Sequence, residues 1–367
     1  MINFNIFLIL YKTLFVHITS ADLSKLYCIG FLIGIFFTFQ ILSGILLSFI
    51  YSNNFSMCWY SIISITDFEA GFLIRSIHIT GTSFIYLTIY IHMFKVFFQI
   101  ILHNSAYIVW IVGIIIYFLT VITAFIGYVL PLTQMSYWGL TVFSNILSTI
   151  PFIGKLLCFW VWGSEFIQDF TLIKVHSLHI ILPLVLAFLI VFHLYFLHFF
   201  LSSDGFFDRF TFYYEKNLFV YYFFLRDFLI LVYLLNIYIY YVYINWVFVF
   251  HEESFEIVDT MKTSDKIIPE WFFLTFFGFI KAVPDKLGGI CVLIIFIISF
   301  VNIIFYILLL FKYISFNIYI LYFTWNILIF LYYIGILSTN VTLLFPFIFE
   351  LQILVICIII INVIKII

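Results

Sequence analysis

Four histidines in this chain are spaced so that they could act together. His78 and His92 close the apolar run HITGTSFIYLTIYIH fourteen residues apart, and His179 and His193 repeat the interval in HIILPLVLAFLIVFH. A helix rises about 1.5 Å and turns about 100° per residue, so fourteen steps separate two rings by roughly 21 Å along the axis and about 40° around it. One metal ion cannot bind both rings of one helix. Two redox centres stacked across a bilayer could, each a planar metal macrocycle clamped axially by one imidazole from each helix. Gly30 and Gly44 share the interval, as do Gly113 and Gly127. Glycine in a helix interior costs about 1 kcal/mol against alanine, so a close approach of the macrocycle at two depths should offset it.

Blander readings exist for each part. A histidine inside a membrane also serves as a polar bridge or a proton relay, and membrane glycines commonly mark helix packing. Four coincident intervals favour a di-haem, bis-histidine electron conduit. The reading from another class is a channel or transporter with proton-relaying histidines, which would carry no visible chromophore. His17, His103 and His251 read as interfacial. His176 lies one turn from His179 and is a rival ligand, but no histidine follows it at fourteen residues.

The elements that must hold these residues lie in a membrane. The 367 residues are 66% hydrophobic and 9% charged, too few charges to cover a soluble surface. A net charge of −2 offers no basic face for nucleic acid. The five cysteines (Cys28, Cys58, Cys158, Cys291, Cys357) show no C-x-x-C and no C-x-x-C-H, against structural zinc, an iron–sulfur cluster or covalently attached haem. The start lacks a basic region and a small-residue cleavage site, so no signal or transit peptide is expected.

Eight apolar stretches reach the length a bilayer requires, near 26–50, 72–101, 107–130, 174–201, 228–250, 287–311, 313–337 and 343–363, here spans A to H. The expected fold is an all-α polytopic membrane protein of eight transmembrane helices. Residues 1–201 hold a di-haem bundle of spans A to D, and 202–367 the C-terminal part. The segment 131–173 reads as short interfacial helices anchored by Trp160 and Trp162, and 251–286 as a folded loop outside the bilayer. Lys and Arg divide almost evenly between the sides and do not orient the chain. Parity puts the A–B, C–D and E–F loops on one face, face one, and the termini with the B–C, D–E and F–G loops on face two. Spans B and D are then parallel, with His78 level with His179 near face one and His92 level with His193 toward face two.

Longer motifs carry a resemblance. Arg75, His78 and Gly81 in one helix, GYVLPLTQMSYWGLTVFSNIL (127–147), PEWFF (269–273) and IKAVPDKLGG (280–289) resemble the cytochrome b family of respiratory bc1 complexes, over nearly the whole chain. SSDGFFDRF, FVFHEES and KTSDKIIPEWFF look most like the mitochondrial members of kinetoplastid and related flagellate protists. The resemblance implies a multi-pass protein of the mitochondrial inner membrane with two non-covalent b-type haems. His78 and His179 would hold the haem nearer the intermembrane space, and His92 and His193 the one nearer the matrix. It implies the catalytic subunit of quinol–cytochrome c reductase, with ubiquinol and ubiquinone as substrates, working with a Rieske iron–sulfur protein, cytochrome c1 and other complex III subunits in a homodimeric assembly. Haem contacts carried over are Gly30, Gly44, Gly113, Gly127, Arg75, Lys95 and Lys174. The two lysines replace arginines expected near haem propionates and lose the bidentate fork. Leu132-Thr133 replaces the family's Trp-Gly, and Phe272 a tyrosine. Another kind of di-haem cytochrome would not explain spans F to H or PEWFF.

The same resemblance gives the two faces their chemistry. Glu270, among Pro269, Trp271 and Phe272, is expected to be desolvated, which raises its pKa and makes it a better base for quinol oxidation; on spacing alone it reads equally as a solvated loop glutamate. Tyr128, Met135, Gly139, Ile146 and Phe272 are expected walls of that quinone pocket. On face two, His198, Ser202 and Asp227 are expected to bind quinone and deliver protons, although Arg226–Asp227 also reads as a juxtamembrane charge pair.

Overall fold

Apolar runs of twenty residues and more dictate the architecture, since a helix is the simplest way for such a run to satisfy its own backbone in lipid. The computed structural model describes residues 18–20, 28–100, 107–200, 216–218, 224–245, 252–281, 285–295 and 297–298. Its helices are α1 (Ile29–Ser48), α2 (Cys58–Thr66), α3 (Glu69–Ile100), α4 (Tyr107–Val129), α5 (Gln134–Leu147), α6 (Gly154–Trp162), α7 (Asp169–Phe200), α8 (Leu225–Tyr240) and α9 (Leu274–Lys281), followed by a short apolar helix, α10 (Lys286–Ile295). Five of the described helices, α1, α3, α4, α7 and α8, are long and apolar enough to cross a membrane. They correspond to spans A to E. Of span F, α10 covers the first part. Spans G and H lie outside the described residues, as do His17, His103, His251 and Ser202.

Both histidine helices are longer than expected. α3 and α7 have 32 residues each, about 48 Å against a hydrocarbon core of about 30 Å. Each opens on an acid, Glu69 or Asp169, which complements the positive end of the helix dipole. Asp169 also accepts from the Phe55 backbone N–H at 2.6 Å, tying the start of α7 to the A–B connection. α7 exposes Leu184, Phe188, Val191 and Tyr195, an apolar stripe at helical spacing that suits a lipid-facing side.

The short helix α2 was not expected. It buries Cys58, Ile62 and Ile65, spaced to share one face, while its other face stays exposed; nine residues are too few to stand out against flanking apolar sequence. The interfacial segment forms two short helices, α5 and α6. Thr133 caps α5: its hydroxyl accepts from Ser136 N–H, and the Ser136 hydroxyl accepts from Thr133 N–H. Leu132 reaches that cap in a left-handed conformation, φ 46°, with its side chain buried against Cys58 and Leu172.

Cross-chain pairings agree with the parity argument. Two three-residue strands, β1 (Ile18–Ser20) and β2 (Lys216–Leu218), pair antiparallel and join the N-terminal region to the D–E loop. These strands depart from the expected all-α fold. An isolated bridge links Thr133 with Ile257, and Gln134 N–H donates to the Glu256 carbonyl, joining the C–D and E–F connections. α1 packs along α3, and α4 along α7. The described residues form two units that part after Ile267; the second, Ile268–Ile297, holds PEWFF, α9 and α10.

Candidate functional site

The four histidines meet in pairs. The ring centres of His78 on α3 and His179 on α7 are 6.2 Å apart with planes at 83°, and those of His92 and His193 are 6.4 Å apart at 65°. Two imidazoles that hold one metal from opposite sides, with metal–nitrogen bonds of about 2.0–2.1 Å, keep their ring centres roughly 6.3 Å apart. Among the described residues no cluster of three or more His, Cys, Asp or Glu could hold a bare metal ion. A metal seated between these rings must bring its equatorial ligands with it, as a macrocycle does.

The glycines stand opposite the rings. A Cβ at Gly44 would meet His78 Cε1 at 3.1 Å, one at Gly113 would meet His193 Cε1 at 3.2 Å, and one at Gly30 would meet His92 Cε1 at 3.6 Å. At Gly127 it would overlap His179 Cε1 outright. The fourteen-residue interval of the glycines is thus the interval of the histidines, read from the neighbouring helix. The close approach that offsets their cost is to the imidazoles.

The ring nitrogens have an order too. His179 Nδ1 lies 3.0 Å from the Thr123 carbonyl, which requires a proton on Nδ1 and leaves Nε2 free as a ligand. His78 Nδ1 lies 3.0 Å from Ser43 Oγ. Among the described residues, Nδ1 of His92 and of His193 is buried without a partner in hydrogen-bond geometry, although the His193 ring lies beside the Val109 backbone. Pro183 follows His179 by four residues within α7; having no N–H, it leaves the His179 carbonyl without its usual helical partner. His176 sits elsewhere, its ring 5.0 Å from Tyr51.

The cationic residues divide. Arg75 is buried one turn before His78, and among the described residues no carboxylate pairs with it, since the ion pair there is Arg226–Asp227 at 3.3 Å. A buried guanidinium one turn from His78 fits an anionic edge such as a haem propionate. Lys95 lies near enough to His92 and Cys28 to act on both electrostatically. Lys174 instead donates to the Trp160 carbonyl at 2.8 Å and stands over the Trp160 ring, at the C-terminal end of α6. Donor chemistry, spacing and cradle all fit two axially ligated haems.

Comparison with known proteins bears on this directly. The family model "Cytochrome b/b6/petB" matches residues 14–201, and "Cytochrome b(C-terminal)/b6/petD" matches 257–359. The chain belongs to the cytochrome b family. Cytochrome b of Leishmania tarentolae is 48% identical over 300 residues, 81% of each chain, and cytochrome b of Trypanoplasma borreli is 46% identical over 355 residues, 96% of this chain and 95% of the relative. A chain of a solved structure titled "Hyperthermophilic respiratory Complex III" superposes with a TM-score of 0.73 at 28% identity, covering 81% of this chain and 79% of that one. The kinetoplastid affinity read from the loop segments is borne out.

The remaining expected residues of the chain fall as follows. Tyr128 and Gly139 are neighbours, a Cβ at Gly139 meeting Tyr128 Cε1 at an ordinary 3.9 Å. Met135 is buried and Ile146 half-buried on α5. Glu270 and Phe272 are buried in the second unit, and Glu270 precedes the turn Trp271–Phe273, its carbonyl accepting from Phe273 N–H at 2.8 Å. Burial pushes the Glu270 carboxyl up to about 8. Asp227 is buried at the start of α8, paired with Arg226 and close enough to Cys28 to act on it electrostatically. His198 lies on the last turn of α7. Sequence reasoning missed Ser43, Gln40 and Tyr238 around His78, and Cys28 beside Asp227. Gly81 was the available signal for the first group; nothing in the sequence marked the second.

Proposed function

We propose that this chain is the cytochrome b subunit of a respiratory complex III in the mitochondrial inner membrane. It would hold two b-type haems, one between His78 and His179 and one between His92 and His193. The observation that carries the reading is the pair of ring separations, 6.2 and 6.4 Å, on two parallel helices. When bound, the haems supply a one-electron path across the bilayer. The protein's share is to hold the rings, exclude water and move protons. Ubiquinol oxidation releases two electrons and two protons; Glu270, buried in the second unit, would accept a proton, and Tyr128, Met135, Gly139 and Ile146 of the first unit would be quinone contacts. One electron would leave to a Rieske iron–sulfur protein and on to cytochrome c1, since the chain shows no ligand motif for an iron–sulfur centre of its own. At face two, Asp227 and His198, with Ser202, would bind ubiquinone and return protons. The assembly would be a homodimer of the complex.

A reduced-minus-oxidised spectrum of the purified protein tests this first, and a flat spectrum would return the chain to the proton-relay class. Single replacements then assign the ligands. His78→Ala or His179→Ala should remove one haem, and His92→Ala or His193→Ala the other, while His176→Ala keeps both. Two low-spin centres at full occupancy in the His179→Ala protein would overturn the assignment.

A further inference from the structure

Around His78 the described structure has a set of polar contacts that the other three histidines lack. Ser43 Oγ is 2.6 Å from the Phe39 carbonyl, four residues back on α1, and 3.0 Å from His78 Nδ1. A hydroxyl has one proton. With that proton given to Phe39, the oxygen accepts from Nδ1–H, which leaves the His78 Nε2 lone pair for a metal. Two neighbouring carbonyls on the same turn are also held. Gln40 Nε2 donates to His78 O at 2.8 Å, and Tyr238 Oη, from α8, donates to Ile77 O at 2.7 Å.

Gly81 is what lets both side chains in. A Cβ there would fall on Gln40 Nε2 and lie 3.2 Å from Tyr238 Oη. Residues 77 and 78 are one turn before 81, so the missing side chain opens a slot over those two carbonyls, each with a second lone pair beyond its helical bond. The Tyr238 ring is bedded against Phe36 at 5.4 Å and Phe84 at 5.1 Å. Its hydroxyl is therefore aimed by packing. Ser43 is buried as well.

We propose that Gln40, Ser43 and Tyr238 are positioning residues for the His78 imidazole, admitted by the slot at Gly81, and that they set the redox level of the centre nearer face one independently of the other. The inference rests on the di-haem reading above. Accepting from Nδ1–H raises the donor strength of the imidazole and favours ferric iron, which lowers the potential of that centre. The carbonyl contacts fix the turn, and through it the angle between the two ring planes. Among the described residues His92 Nδ1 has no such acceptor, so the two centres differ in this respect.

Spectropotentiometric titration and low-temperature EPR of the purified protein test this, since the low-spin ferric signal depends on the angle between the axial rings. The face-one centre is identified by its loss in the His179→Ala protein. Ser43→Ala should raise the midpoint potential of that centre alone, and Ser43→Thr, which keeps a hydroxyl, should restore it. Tyr238→Phe should shift the EPR line of the same centre. Both haems bound in Ser43→Ala with unchanged potentials, or both centres moving equally, would overturn the inference. Should Ser43→Ala bind no haem at all, Tyr238→Phe decides, and an unchanged line there counts against it. A wild-type protein without haem would sink the proposed function itself, whereas two haems in the wild type with Ser43→Ala unshifted would remove only this inference.

Discussion

A methyl group at Gly127 would occupy the space of the His179 ring, whereas the same methyl at Gly30 would make an ordinary contact with His92 at 3.6 Å. Alanine substitution should therefore grade by position: near-complete loss of one haem at Gly127, partial loss at Gly44 and Gly113, and little at Gly30. Haem content per protein, measured by absorbance, checks the order; equal effects at all four would make these simple packing glycines. Glu270 offers the second test at this scale. Its carboxyl is raised from an ordinary 4.5 to about 8 by burial, so the folded protein favours the protonated form. It can accept a proton only as pH approaches and passes that value, and quinol oxidation should fall as pH drops through about 8. For the same reason its contribution to stability is fully present below 4.5 and lost as pH rises through about 8. Glu270→Gln should flatten the acid limb and slow the reaction, by at most the 10²–10⁴ that is roughly typical of a general base, with Glu256 or Asp259 able to shrink the loss. An unchanged pH profile would return Glu270 to a loop residue.

The short helix α5 shows how an element can absorb a departure from its family. Where the resemblance expects Trp-Gly, Leu132 stands at the tryptophan position and takes a left-handed conformation, at a cost of about 1–2 kcal/mol. Burying its side chain against Cys58 and Leu172 offsets this by about 1.5–3 kcal/mol. Thr133 then begins the helix with a reciprocal pair of hydrogen bonds to Ser136. Thr133→Ala should destabilise the start of α5 by about 1 kcal/mol, seen as a lower Tm in detergent, and Thr133→Ser should recover it. Gln134 extends the same junction into the E–F loop: its Nε2 donates to the Lys262 carbonyl at 2.6 Å and its Oε1 accepts from Asp259 N–H at 2.8 Å.

At the scale of the whole molecule, the two histidine pairs lie at two depths, and the candidate proton groups lie on different elements. Asp227 opens α8, and Glu270 belongs to the second unit. Asp227→Asn should therefore slow quinone reduction at face two while leaving both haems bound. Pre-steady-state haem reduction by quinol through the face-one site should stay close to normal in the presence of a face-two inhibitor. Equal loss of both half-reactions would make the Arg226–Asp227 pair a structural charge cluster.

How much of this was legible beforehand depends on the kind of signal. Period and hydropathy are local, so the long apolar runs could be read directly, and the parity of the crossings with the histidine spacing gave the parallel course of spans B and D and the pairing of His78 with His179 and His92 with His193. The glycines were legible as sites of close approach, but only the packed helices showed that each faces an imidazole. Sequence could not place Lys174 on the Trp160 carbonyl, bring Asp227 beside Cys28, or fit Tyr238 of α8 into the slot at Gly81, because each contact joins residues from different elements with no period to connect them. Helix geometry is set by the neighbouring four residues. The contacts around His78 are set by which helices the fold brings alongside it, and only the tertiary structure decides that.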